Sequence, residues 1–88
     1  MVTVCFDYDS SYYPKDLPGH GISVESDSKA CQIRCTNVEG CSYFSFWPNE
    51  KSCHLSGPAA RKIFDKWGAV SGPKKCDDGK LTCYSKKI

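Results

Sequence analysis

Alternating apolar and polar residues in the first part of the chain predict short β-strands. In residues 2–8 every second position is apolar or aromatic and Cys5 lies on the opposite face, which predicts a first strand. Residues 9–21 are rich in Ser, Tyr, Pro, Gly and Asp, and this composition predicts an irregular loop. The chain is expected to resume as a short strand at residues 22–24.

One helix is predicted in the middle of the chain. Residues 26–28 are Ser, Asp and Ser, all good N-cap residues, and they precede residues 29–38, which contain neither Gly nor Pro. Cys31 and Cys35 are four residues apart and therefore lie on one helix face, which we expect to pack inward. Gln32 is expected to point away from that face.

A hairpin is predicted after the helix. Residues 41–47 contain four aromatic residues and predict a central strand covered on both sides, and residues 52–56 return as its partner. His54 faces outward on the second strand and is interpreted as a surface residue. Residues 59–66 leave two alternatives open, a short helical face or a loop, and residues 68–71 predict a last strand.

Composition indicates a small secreted domain. The chain has 88 residues, enough for one small domain with a limited core, and seven of them are cysteines. That density is typical of oxidising compartments, where disulfides supplement the core. The formal net charge of +2 gives no argument for a nucleic-acid partner. No apolar stretch is long enough to span a membrane, so direct membrane insertion is not expected.

The sequence lacks motifs for catalysis and for metal binding. It contains no GxSxG, HExxH, Walker or GxGxxG motif, and no CxxC-like ligand pair for zinc accompanies His20 and His54. We therefore expect no enzymatic activity, no cofactor and no metal site. Binding is the function that remains.

The cysteine spacing carries a resemblance to a known family. Cys31 and Cys35 lie on the helix, Cys41 follows at the start of the aromatic strand, and Cys53 lies on the next strand. The segments that show the pattern are ACQIRC at 30–35, GCSYFSF at 40–46 and CHL at 53–55, framed by Cys5 and Cys76. This arrangement resembles the PAN/apple family, and most of all the tandem apple repeats of apicomplexan microneme proteins of the Eimeria type. The resemblance implies an α+β fold, with one α-helix packed on a curved antiparallel β-sheet, in a single domain over residues 1–78.

Sequence reasoning alone leaves the disulfide pairing open. Six cysteines admit fifteen pairings, and Cys31 and Cys35 more plausibly each reach across to the sheet than to one another. The family resemblance implies three specific disulfides: Cys5–Cys76, Cys31–Cys53 and Cys35–Cys41.

Cys83 is the seventh cysteine and is expected to be unpaired in this chain. Residues 3–6 and 81–84 share the order of apolar or Thr residues, cysteine and an aromatic residue. We therefore interpret residues 79–88 as a linker and the start of a following apple repeat. The competing hypothesis is a covalent link from Cys83 to another chain.

The loop at residues 12–20 is the predicted ligand-binding segment, because it combines aromatic rings with hydrogen-bonding side chains. The competing interpretation is a solvated loop whose two tyrosines cover the sheet. The predicted contact residues are Tyr12, Tyr13, Lys15, Asp16 and His20.

The resemblance implies a non-catalytic, secreted recognition module. It implies storage in secretory organelles such as micronemes, use in host-cell attachment, a protein or glycan ligand on a cell surface, and neighbouring apple repeats in the same chain. Two other functions remain open: an apple module of a secreted serine-protease zymogen that binds a protein cofactor, and a purely structural spacer.

Overall fold

The computed structural model describes residues 5–64 and 67–76. These residues form one α-helix, α1 (Ser28–Asn37), and seven β-strands in two antiparallel sheets. The strands are β1 (Asp7–Tyr8), β2 (Ser10–Tyr13), β3 (Ser23–Val24), β4 (Tyr43–Trp47), β5 (Ser52–Ser56), β6 (Arg61–Phe64) and β7 (Val70–Pro73). The order in the larger sheet is β1-β7-β4-β5-β3, and β2 pairs with β6. The predicted α+β fold, a helix packed on antiparallel strands, is confirmed.

Helix α1 begins where the sequence predicts. Asp27 is the N-cap, and its side-chain oxygen accepts a hydrogen bond from Ala30 N–H at 2.8 Å. The helix ends before Val38, whose N–H donates to the carbonyl of Cys35. Cys31 and Cys35 face the sheet and are fully buried, as expected.

Gln32 lies inside the fold, so the prediction that it points away from the core was wrong. Its side chain is only 2% exposed, and its Nε2 donates a hydrogen bond to the carbonyl oxygen of Pro73 at 3.1 Å. That carbonyl lies at the end of β7, beside the disulfide of Cys5 and Cys76. Helical periodicity identifies the cysteine face, but it does not show that a neighbouring position meets a backbone acceptor from another element.

The apolar core lies between α1 and the larger sheet. In the β4–β5 hairpin Phe44 pairs with Leu55 and Phe46 pairs with Cys53, so these four side chains share the face towards the helix. The ring of Phe6 packs edge-on against Phe44, with ring centroids 5.4 Å apart. This small core explains why the fold also uses disulfides.

Three disulfides join the helix, the sheet and the two ends of the described chain: Cys5–Cys76, Cys31–Cys53 and Cys35–Cys41. These are the pairs that the family resemblance implied. Cys31, Cys35, Cys41 and Cys53 are at most 2% exposed. Cys83 and the interpretation of residues 79–88 lie outside the described residues.

The segment predicted as one irregular loop contains a strand. Residues 10–13 form β2, which pairs antiparallel with β6 from Ser10↔Phe64 to Tyr13↔Arg61. The region 59–66 therefore contributes a strand, and both alternatives considered for it, a helical face and a loop, were wrong.

The small sheet packs on β4 and β7 through buried serines. Ser10, Ser45 and Ser71 are each 0% exposed. The hydroxyl oxygens of Ser10 and Ser71 are 2.8 Å apart, and the N–H of Tyr12 donates to Ser45 Oγ at 2.8 Å. Hydrogen bonds to buried serine hydroxyls are thus part of this contact, and a search for apolar alternation does not detect them.

The first and last strands also differ from their predicted bounds. β1 contains only Asp7–Tyr8 within the described residues, and residues 2–4 of the predicted strand lie outside them. The last strand was predicted at residues 68–71, whereas β7 begins at Val70 and continues through Gly72 and Pro73. Gly72 lies so close to the core that a Cβ there would stand 3.0 Å from the ring of Phe44.

Candidate ligand-binding groove

The side of the hairpin opposite the helix carries aromatic and polar side chains. Trp47 pairs with Ser52, and Ser45 pairs with His54 across β4 and β5. Because paired residues and every second residue share a face, all four lie on this side. Tyr12 covers Ser45, whereas Trp47 and Ser52 are only half-buried. The accessible end of this face is therefore the end near Trp47.

Residues 14–17 fold over β5 and border this accessible end. The hydroxyl of Ser56 donates to the carbonyl of Pro14 at 2.8 Å, and Leu17 N–H donates to the carbonyl of Leu55 at 3.1 Å. Between these two anchors Asp16 adopts a φ of 65°, in the left-handed region. The anchors hold the Asp16 carboxylate next to β5.

His54 is buried, so its interpretation as a surface residue was wrong. It does lie on the face opposite Cys53 and Leu55, as the alternation predicted, but only 8% of its surface is exposed. Its Nδ1 is 2.8 Å from Asp16 Oδ1, and its ring packs edge-on against Trp47 with centroids 5.1 Å apart. A loop distant in sequence and a neighbouring aromatic ring thus cover it.

A shallow groove of about 210 Å³ opens at this point. The residues that line it are Lys15, Trp47, Glu50, Ser52 and His54. The ammonium group of Lys15 lies 4.7 Å from the centroid of the Trp47 ring, within the range of a cation–π interaction. The groove therefore offers an aromatic surface, both signs of charge and hydrogen-bonding groups to one ligand.

The structure brings only part of the predicted contact set to this groove. Lys15 lines it, and Asp16 supports it through His54. Tyr13 and His20 are exposed but are not among the lining residues. Tyr12 is only 9% exposed, because its ring covers the sheet, as the competing interpretation of the loop proposed. We therefore remove Tyr12 from the candidate contact residues.

Tyr12 instead belongs to an aromatic and charged cluster between the sheets. Its ring stacks on that of Tyr43, with centroids 4.1 Å apart and planes inclined by 10°. Burial raises the pKa of the Tyr12 hydroxyl, and nearby Lys62 offsets only part of that effect. Burial alone would lower the pKa of Lys62, but its hydrogen bond to Asp7 and the proximity of Tyr12 outweigh burial and raise it.

Sequence reasoning missed four groove residues: Trp47, Glu50, Ser52 and His54. The period-two alternation of strands already places Trp47, Ser52 and His54 on one face, so it supplied a usable signal. The missing information was that the loop at 14–17 crosses this face.

The described residues hold no group of three or more His, Cys, Asp or Glu side chains that fits a metal ion. Across the same parts of the chain, no helix has the length and apolarity needed to cross a membrane.

Comparisons with known proteins agree on one family. A family profile described as PAN domain matches residues 6–87. Over 73 residues, or 83% of this chain, the sequence is 29% identical to a microneme antigen and 27% identical to microneme antigen L2, both of Sarcocystis muris. A solution structure of the two N-terminal apple domains of Toxoplasma gondii microneme protein 4 superposes on 78% of this chain, with a TM-score of 0.66 and 29% identity.

The chain spans only part of these proteins. The match covers 30% of the microneme antigen, 51% of microneme antigen L2 and 44% of the two-domain Toxoplasma chain.

Proposed function

We propose that this chain, which belongs to the PAN domain family, is a non-catalytic adhesion module. It is an apple domain of the apicomplexan microneme type, which is associated with secretory organelles and the extracellular space. Its ligand is a protein or a glycan on a host-cell surface. The ligand binds in the groove beside Trp47, and this contact contributes to host-cell attachment.

The arrangement around Trp47 is the observation that carries this proposal. The half-buried indole has the Lys15 ammonium over its ring and the His54 ring edge-on against it, and Ser52 and Glu50 line the same groove. Aromatic surface with a few polar groups beside it is the usual composition of recognition sites. The groove volume of about 210 Å³ lies below the roughly 300–1,000 Å³ of drug-sized pockets, which fits a single sugar residue or one protein side chain.

Binding of the fluorescently labelled chain to cultured vertebrate cells tests the proposal. Trp47→Ala should weaken binding at least about fivefold, the equivalent of about 1 kcal/mol for an anchoring aromatic residue. Trp67→Ala is the matched control, because Trp67 is 85% exposed and does not line the groove. Circular dichroism and thermal unfolding of each variant confirm that the fold is retained.

Two outcomes would contradict the groove as the binding site: unchanged binding of Trp47→Ala, or equal losses in both tryptophan variants. Treating the cells with glycosidases or with a protease before the assay identifies a glycan or a protein ligand, respectively. Absence of binding to every cell type would favour a structural spacer.

We further propose that neighbouring apple repeats flank this module and that residues 79–88 begin the next one. The partial coverage of the relatives, 30% and 51% of their length, supports this organisation. Peptide mapping under non-reducing conditions tests it. A disulfide between Cys83 and a cysteine of this module would contradict the proposal.

A further inference from the structure

The hydrogen bond between Asp16 and His54 constrains the imidazole. A carboxylate is only an acceptor, so the ring nitrogen that faces it, Nδ1, carries the hydrogen and donates to Asp16 Oδ1 over 2.8 Å. In a neutral imidazole only one nitrogen carries hydrogen, so Nε2 then has a free lone pair and is an acceptor.

The second nitrogen is available to a ligand. Nε2 of His54 has no hydrogen-bond partner among residues 5–64 and 67–76, whereas every fully buried side-chain nitrogen and oxygen in those ranges has one. Within those ranges Nε2 is thus the ring nitrogen that is left for a ligand. Because His54 lines the groove beside Trp47, a ligand bound there is the partner that we expect for Nε2.

Asp16 is held in place independently of any ligand. Pro14 and Leu17 flank it, and both are tethered by hydrogen bonds to β5, the strand that carries His54. The loop is therefore tethered to the strand on both sides of Asp16, whose backbone lies in the left-handed region and whose carboxylate contacts the ring. A preorganised contact of this kind sets the orientation of a binding group before the ligand arrives.

We infer that Asp16 is a positioning residue that makes His54 Nε2 the hydrogen-bond acceptor of the groove. The ligand must therefore bring a neutral donor to this atom, either a hydroxyl or an amide N–H. This inference rests on the proposed groove function and specifies the chemistry of its ligand. At this atom a purely anionic group is disfavoured, because the Nε2 lone pair is itself an acceptor.

The first experiment measures the protonation of the ring directly. In ¹⁵N-labelled protein at about pH 8, where histidines are ordinarily neutral, His54 should show hydrogen on Nδ1 and a pyridine-type Nε2 signal. The sequence has two histidines, so His20→Gln assigns the signals. Asp16→Asn should abolish the preference for hydrogen on Nδ1, because an amide can donate to Nδ1 as well as accept from it. Hydrogen on Nε2 in the unmodified protein, alone or together with hydrogen on Nδ1, would overturn the inference.

The second experiment titrates three small probes against the same labelled protein. Methyl hexopyranosides supply hydroxyl donors, N-acetylserine amide supplies amide donors, and dimethyl sulfoxide is the matched control with an acceptor but no donor. A donor probe should shift the Nε2 signal together with the backbone amides of Trp47 and Ser52. Asp16→Asn should weaken the binding of that probe about tenfold, whereas dimethyl sulfoxide should leave the Nε2 signal of the unmodified protein unchanged.

The outcomes separate this inference from the proposed function. If a donor probe shifts the Trp47 and Ser52 amides but not Nε2, or binds Asp16→Asn equally well, the inference is overturned and the groove remains the binding site. If neither donor probe shifts any groove signal, the assignment of ligand chemistry is overturned. The cell-binding assay with Trp47→Ala then decides separately whether the groove functions.

Discussion

Replacing Ser45 with Ala should destabilise the domain through one buried hydrogen bond. Ser45 Oγ accepts the N–H of Tyr12 at 2.8 Å at the contact between the two sheets, and Ser45 is 0% exposed. The substitution removes a single oxygen and leaves the N–H without an acceptor. The vacated space is smaller than the roughly 30 Å³ share of a water molecule, so solvent does not replace the oxygen unless the sheets separate.

The expected loss follows from the cost of an unsatisfied buried donor. Leaving such a group unpaired costs about 1–3 kcal/mol. For a domain of this size each kcal/mol corresponds to about 4–8 °C in Tm, so Ser45→Ala should lower Tm by at least about 4 °C. Amide exchange at Tyr12 should accelerate, because the N–H loses its acceptor.

Thermal and urea unfolding with intact disulfides measure the change. Ser26→Ala is the matched control, because Ser26 is exposed and lies outside the sheets. A Tm of Ser45→Ala equal to that of the control, with Tyr12 exchange still slow, would refute the view that this hydrogen bond stabilises the contact between the sheets.

Three further predictions follow from the core, the charges and the disulfides. Gly72→Ala should cost about 1–3 kcal/mol in urea unfolding by overpacking the core, whereas Gly21→Ala, with open space around it, should be nearly neutral. The pKa values of Tyr12 and its neighbouring lysine are raised in the fold, so the contribution of these two groups to the free energy of unfolding should be constant below about pH 10 and fall above it. Tyr12→Phe should reduce this loss of stability above about pH 10. An equally steep fall of the free energy of unfolding with pH in the variant and in the unmodified protein would contradict the role of Tyr12. Replacing Cys31 and Cys53 together with Ala should remove about 2–5 kcal/mol in the same urea assay, and unchanged stability would show that the core suffices.

The sequence predicted the elements whose signals are local. Asp27 is a strong N-cap next to a stretch without Gly or Pro, so helix α1 followed from adjacent residues. The hairpin of β4 and β5 followed from two strand-like segments joined by a short turn. The family resemblance supplied the disulfide pairs, which spacing alone left among fifteen possibilities.

The elements that were missed depend on contacts distant in sequence. β2 carries the residues SSYY, whose strand character comes from pairing with β6 and from buried serine hydroxyls on other strands. His54 is buried by Asp16, 38 residues earlier, and Gln32 by a carbonyl 41 residues later. Polar side chains become interior residues only when such a partner is present, and a single sequence does not show the partner.

Contacts between residues distant in sequence also explain which part of the groove was missed. Lys15 and Asp16 were selected as hydrogen-bonding loop residues, and both lie beside the hairpin. His54 was placed on the correct strand face, but its role and that of Trp47 became apparent only when the loop was seen to cross that face. The loop and the strand face were thus each predicted, and their contact was not.

The disulfide between Cys5 and Cys76 determines how the module responds to mechanical force. The two Cα atoms are 5.6 Å apart although 71 positions separate them in sequence. A pulling force applied through the chain on either side of this bridge passes directly across the covalent bond and bypasses the sheets and the helix. The segment between the two cysteines, which would reach about 240 Å when fully extended, therefore cannot be pulled out. The hydrogen bonds of the fold therefore carry no tension when force runs along the chain from one flanking segment to the other, so the bridge would let the module transmit such a pull without unfolding.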